Sequence, residues 1–233
     1  METENLIENA NVNMARRSFL RYAGAGVATV GVLAAASCQK TYPPVADTPK
    51  GIDIGATGDL AILNYAYALE QLEAAFYINV SAQMYTGASA DEIALLTDIR
   101  DHEVAHRQFF KAALGTNAIQ DLSVNFSAID FSSRASVLAA AKAFEDTGVT
   151  AYNGAGYLIQ SATYLTLAGK IVSVEARHAS YIRNLISPGS FADTTVLDAN
   201  GMDKQQSIAQ VLAIANTYLT TKVSASNYGY VAS

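Results

Sequence analysis

The chain has 233 residues, 51% hydrophobic and 15% charged, which is enough apolar material for a sizeable core and too little charge for a disordered chain. A net charge of −6 without a basic cluster gives no footing for nucleic acid. The single cysteine, Cys38, excludes an internal disulfide, so a metal held by the folded body would need oxygen and nitrogen ligands.

Residues 1–38 read as a targeting segment. Arg16-Arg17-Ser18-Phe19-Leu20-Arg21 has a twin-arginine pattern, the apolar run Tyr22–Ala36 follows, and Ala35-Ala36-Ser37 precedes Cys38. Together these predict export by the twin-arginine (Tat) pathway and lipidation at Cys38, with the protein anchored to a membrane and facing the periplasm or cell exterior. An uncleaved membrane helix and a cleaved soluble form are the two alternatives. Residues 39–56 hold Pro43, Pro44, Pro49, Gly51 and Gly55 and are expected to form an extended linker.

The body, 57–187, is predicted to be all-α. A first helix covers 57–86, with Thr57 or Asp59 as its cap. A second opens at Ser89-Ala90-Asp91-Glu92 and runs to about Leu114, where Gly115 ends it. Residues 116–132 lack helical periodicity and read as a long crossover. A short third helix is expected from Arg134 to about Asn153, broken by Gly154-Ala155-Gly156. The fourth runs from Ala162 to Ile186 and stops at Ser187-Pro188-Gly189. The extension 188–233 carries one more amphipathic helix near Lys204–Tyr218.

The chemistry lies in the few acidic residues of these apolar helices. After residue 37 there are six glutamates, at 70, 73, 92, 103, 145 and 175. A buried, unpaired carboxylate is costly, so Glu70 and Glu73 in LAILNYAYALEQLEAAFYINV call for a partner or a metal. The second helix offers Glu103-Val104-Ala105-His106 and the fourth Glu175-Ala176-Arg177-His178, each a Glu-x-x-His on one helix face; the third offers Glu145. Glu, ExxH, Glu, ExxH over four helices is the ligand set of ferritin-like dimetal carboxylate bundles.

The halves also align. Leu69-Glu70 and Phe144-Glu145 are each followed seven positions later by a tyrosine, Tyr77 and Tyr152, placed on the face of its own glutamate. This favours Glu70 over Glu73 as the first-helix ligand; Glu73, one turn on, stays an additional or alternative ligand. Tyr77 and Tyr152 are candidates to hydrogen-bond a ligand carboxylate. Four carboxylates balance two divalent cations, and mixed oxygen and imidazole donors suit iron or manganese.

LNYAYALEQLEAAFY (63–77), DHEVAHRQFF (101–110) and IVSVEARHASYIRNL (171–185) resemble the ferritin-like domain of the desiccation-related protein family. The resemblance covers about 58–187 and is most specific at VEARHASYI. It implies a ferritin-like four-helix bundle with its long crossover between helices two and three, and Glu70 or Glu73, Glu103, His106, Glu145, Glu175 and His178 as ligands of two iron or manganese ions. Glu103 and Glu175 are then expected to bridge, and Glu70 and Glu145 to be terminal. Dioxygen, peroxide or ferrous iron are the expected small substrates, in ferroxidase, peroxidase or catalase-like chemistry, and a homo-oligomer is compatible with the fold. A ferritin-like scaffold acting as a stress-related interaction module, with weak metal binding, is a separate reading.

His102-Glu103-Val104-Ala105-His106 is also a literal HExxH, the signature of zinc peptidases. Phe109 stands where a metzincin needs glycine, and no Glu or His between 107 and 144 supplies a third ligand.

Overall fold

The computed structural model describes residues 51–232. The twin-arginine pattern, the apolar run Tyr22–Ala36 and Cys38 lie outside the described residues. No helix among the described residues is long and apolar enough to cross a membrane.

Four long helices carry the fold: α1 (Asp59–Ala82), α2 (Ala90–Leu114), α3 (Arg134–Ala155) and α4 (Ala162–Ile186). α1 packs chiefly along α2, and α3 along α4, so the bundle is two helical hairpins face to face. The long connection falls between α2 and α3, as a ferritin-like arrangement requires.

α1 is buried on nearly every side, from Ala61 to Val80. An apolar sequence with no polar stripe can only be accommodated by covering it all round. α2 and α3 supply two of its walls. The crossover and the C-terminal extension supply others: Ile119, Leu122, Val124, Phe126 and Phe131 of the crossover pack on the core that holds Leu69, Leu72 and Phe76. The few polar groups of α1 pin the crossover in place. Asn64 Nδ2 donates to the Asn117 carbonyl at 3.0 Å, its Oδ1 accepts from the Ile119 N–H at 2.9 Å, and Gln71 Oε1 accepts from the Leu122 N–H at 2.8 Å.

Helix boundaries follow their caps. Ser89 and Glu92 form a reciprocal capping box that opens α2, and Ser133 and Ser161 cap α3 and α4. α1 differs from expectation. It begins after Gly58 with no side-chain cap, because Asp59 is used elsewhere: its carboxylate accepts from the N–H groups of Gln160 and Ser161 at 2.7 and 3.0 Å, tying the start of α1 to the start of α4.

The third helix is not short, since it continues through Gly154 to Ala155. Gly154 serves a close approach there: a Cβ would lie 1.8 Å from the Gln206 carbonyl oxygen. That contact seats the C-terminal extension, whose helix α5 (Ile208–Ala215) begins later than its periodicity predicts, because Ser207 and Gln210 form a second capping box. Residues 51–56 also depart from a free linker. Ile52–Asp53 (β1) pairs in parallel with Val223–Ser224 (β2), and Ile54 is buried in the core. An edge-to-face aromatic group, Phe76 with Phe144 at 4.9 Å and Phe144 with Tyr218 at 4.7 Å, joins α1, α3 and the extension, each pair contributing about 0.5–1.5 kcal/mol beyond its burial.

Candidate metal centre

Between the two hairpins the helices place four carboxylates that are fully buried: Glu70 on α1, Glu103 on α2, Glu145 on α3 and Glu175 on α4. His106 and His178, each one turn after the glutamate of its own helix, complete the cluster. The side chains form two overlapping groups, Glu70–Glu103–His106–Glu175 and Glu103–Glu145–Glu175–His178, whose ligand-type atoms within each group lie within 4.8 Å of one another.

The two groups are near copies. His106 Nδ1 is 3.4 Å from Glu70 Oε2, 3.0 Å from Glu175 Oε1 and 3.9 Å from Glu103 Oε2. His178 Nδ1 is 3.4 Å from Glu145 Oε2, 2.9 Å from Glu103 Oε1 and 4.0 Å from Glu175 Oε2. Glu103 and Glu175 thus divide their two oxygens between the groups, which is the disposition of a bridging carboxylate. Glu70 and Glu145 each turn one oxygen to a single histidine, the disposition of a terminal one.

The other oxygen of each terminal carboxylate is held by a tyrosine. The Tyr152 hydroxyl donates to Glu70 Oε1, and the Tyr77 hydroxyl to Glu145 Oε1. Each tyrosine thus bonds a cluster carboxylate, but that of the other hairpin rather than the glutamate whose face it shares. Seven residues along a helix separate the pair by about 10 Å, beyond the reach of a phenol, so each tyrosine crosses to the opposite hairpin.

The donor set fits a pair of metal ions. Eight of its atoms, Glu70 Oε2, both oxygens of Glu103 and of Glu175, Glu145 Oε2 and the Nδ1 atoms of His106 and His178, are buried and make no hydrogen bond. Native interiors rarely leave polar atoms so, and these eight converge on one small volume. Among the described residues no arginine pairs with the cluster: Arg183 pairs with Asp146 at 2.9 Å, Arg134 with Glu92 at 2.5 Å and Arg100 with Asp101 at 2.7 Å.

The electrostatics carry the same message. Burial, and then the neighbouring carboxylates, push Glu103 well above the usual range, and burial with Glu70 pushes Glu175 up to about 8. Burial pushes His106 down, but the facing carboxylates of Glu175 and Glu70 outweigh it and bring it up to about 10. His178 is raised by Glu145 against the same opposing effect of burial. In the protein alone, these groups hold protons that divalent cations would replace.

Glu73 is buried near the cluster but belongs to neither group. It faces α3 at Gly148, where a Cβ would stand 3.0 Å from its Oε1 and 3.5 Å from Glu175 Oε2. Of the two glutamates on α1, the one set among the converging donors is therefore Glu70. Burial and the charges of Glu175, Glu145 and Glu70 push the Glu73 carboxyl well up.

His102 escaped the sequence reading except as half of HExxH. Its Nδ1 lies 2.9 Å from His178 Nε2, with the two rings stacked at 5.2 Å. It holds the outer face of a donor histidine, as such partners commonly do. Burial and the two other histidines keep the pKa of His102 low, so a neutral ring is available to accept the His178 Nε2–H. The zinc-peptidase pairing is not assembled: His106 stands among the converging donors, whereas His102 is outside both groups. The one signal in the sequence was the spacing of four that puts His102 on the same side of α2 as His106.

Fold and site together define a four-helix bundle with a buried carboxylate–imidazole cluster able to take metal. The profile of the ferritin-like domain family matches residues 58–188, more than half of the chain, and the chain belongs to that family. No curated protein matches it in sequence.

Proposed function

We propose that this is an exported, membrane-anchored ferritin-like protein that holds two iron or manganese ions and passes electrons between them and dioxygen or peroxide, with oxidation of ferrous iron as the reaction to test first. The reading rests on one observation: eight buried donor atoms without hydrogen bonds, contributed by all four helices, surround one volume. Such a pair of ions supplies one-electron redox equivalents in a site closed to bulk water.

The chain's own residues have separable tasks. Glu103 and Glu175, shared by both groups, would hold both ions, and Glu70 and Glu145, oriented by Tyr152 and Tyr77, would each hold one. His106 and His178 each serve one ion. Four carboxylates against two divalent cations would leave the buried cluster neutral, the ions taking the place of the protons held in the protein alone.

Export and lipidation rest on Arg16-Arg17 and on Ala35-Ala36-Ser37-Cys38, and kinship with the desiccation-related proteins on VEARHASYI. Elemental analysis of protein purified from its native host should give two ions per chain, and H106A/H178A should lose them. Unchanged stoichiometry in that double variant defeats the metal reading. Cys38→Ala should move the protein from the membrane to the soluble fraction.

A further inference from the structure

α3 and α4 carry Glu145 and Glu175 into the cluster, while the residues that follow these, Asp146 and Ala176, line a separate cavity. It is part-open, has a volume of about 280 Å³, and is covered by residues 191–204 of the C-terminal extension. The cover is fastened by its own hydrogen bonds. Arg183, 3% exposed, donates through Nε to Asp146 Oδ1 at 2.9 Å and through Nη2 to Thr195 Oγ1. Asp198 Oδ1 accepts from the N–H groups of Asn200 and Met202 at 2.8 and 2.9 Å. Lys204 Nζ donates to the carbonyls of Thr194 and Thr195 at 2.8 and 3.1 Å. Walls ordered in advance reduce what a ligand must spend on ordering them.

The same bonds decide what the cavity has left to offer. Both of its cations, Arg183 and Lys204, are engaged, whereas Asp146 Oδ2, the Asp203 carboxylate and the Ser180 hydroxyl make no hydrogen bond among the described residues. The spare capacity is therefore for donors. An anion would meet two carboxylates and no free cation, and a cation would meet Arg183 and Lys204 in the same walls. A neutral ligand with several hydroxyls suits such acceptors, since one carboxylate can take two adjacent O–H groups. Beside the acceptors lie Val149, Leu197 and the 58% exposed Phe191, which offer apolar surface. Adjacent hydroxyls around its edge and C–H groups on its faces give a pyranose ring both halves of this match.

We infer that this cavity binds a neutral sugar, whose hydroxyls donate to Asp203, Asp146 and Ser180 and whose C–H face rests on Phe191. The volume only provides room: roughly 150 Å³ suffices for benzene, so a substituted six-membered ring is accommodated. The balance of donors and acceptors makes the selection. The inference does not depend on the redox reading, because no residue of the metal centre lines the cavity.

Saturation-transfer NMR on the full-length protein, in a detergent without a sugar head group, tests this with glucose, galactose, mannose and N-acetylglucosamine. At least one should bind at about 10 mM or below, with transfer strongest at its ring C–H protons. Asp203→Ala should weaken that binding by roughly tenfold, as loss of a hydrogen bond to a charged group does. Phe191→Ala should weaken it about as much through lost apolar contact. Both residues are exposed, so neither change disturbs the core. Binding of none of the four sugars overturns the proposal, and so does binding that both variants leave unchanged. Tighter binding of putrescine or acetate than of any sugar overturns the choice of a neutral ligand. Affinity that rises from mono- to trisaccharide supports the site with a glycan chain as its source, and level affinity supports it with a free sugar.

Discussion

The two hairpins place their donors almost identically and surround them differently. His106 and His178 stand at matching distances from the carboxylate of Glu70 or Glu145, 3.4 Å each, and from one of the two carboxylates shared by both groups, 3.0 and 2.9 Å. Yet the His106 side chain is 14% exposed, whereas that of His178 is 6% exposed and backed by His102. An apolar pocket touches the Glu70 side only, through Tyr152. Repetition of a helical unit fixes the inner geometry, since Glu-x-x-His on two facing helices allows little else. The outer surroundings are free to differ, and they make the halves inequivalent: one more enclosed, the other nearer to solvent and to the apolar pocket.

The largest effect should come from removing what the halves share. Glu103→Ala or Glu175→Ala takes a ligand from both groups and should cost both ions, whereas Glu70→Ala or Glu145→Ala should cost one; metal stoichiometry by mass spectrometry tells these apart. A bridging variant that keeps one full-strength ion would break the symmetry argument.

Next comes the pH dependence of the metal-free protein. Glu175 holds its proton to about pH 8 in the folded chain, and Glu103 and Glu73 are raised too, while unfolded carboxylates release theirs near about 4.3. The folded state then binds more protons between those values, so stability is fullest at acid pH and falls as pH rises, by about 1.4 kcal/mol per pH unit for each proton retained. His106, raised to about 10, extends the decline above its unfolded value of about 6.5. Thermal melts from pH 5 to 9 should show this fall, and bound metal should abolish it. A melting temperature that rises with pH refutes the charge argument.

His102→Ala sharpens the contrast further. Loss of an outer partner typically lowers metal affinity 10–100-fold, and here it should do so at the His178 half alone. Calorimetric titration should resolve one weakened and one unchanged site. The smallest effect should come from Tyr77→Phe and Tyr152→Phe. Each orphans one oxygen of a buried carboxylate, at a cost of about 1–3 kcal/mol. Thermal melts should show similar losses for the two, and unequal losses would carry the asymmetry inward to the carboxylates.

Much of this was readable along the chain. Six glutamates in an apolar body are conspicuous because burial makes an unpaired carboxylate expensive, and the Glu-x-x-His spacing names a helix face without any fold in view. The end of the fourth helix was legible because Ser187-Pro188-Gly189 marks it. Other features were not. Asp59 looks like a cap and instead bonds Gln160 and Ser161. Gly154 looks like a helix breaker and instead makes room for Gln206. In both, a partner about 50 or 100 residues away outweighs the local preference.

The sequence by itself determined the helices, their order and the donor types, because periodicity, capping and the cost of buried charge act through neighbours in the chain. Tertiary structure alone decided that Tyr77 and Tyr152 each serve the opposite hairpin, and that His102 supports His178. Those outcomes depend on distances across the bundle, which helix packing sets and residue spacing does not encode.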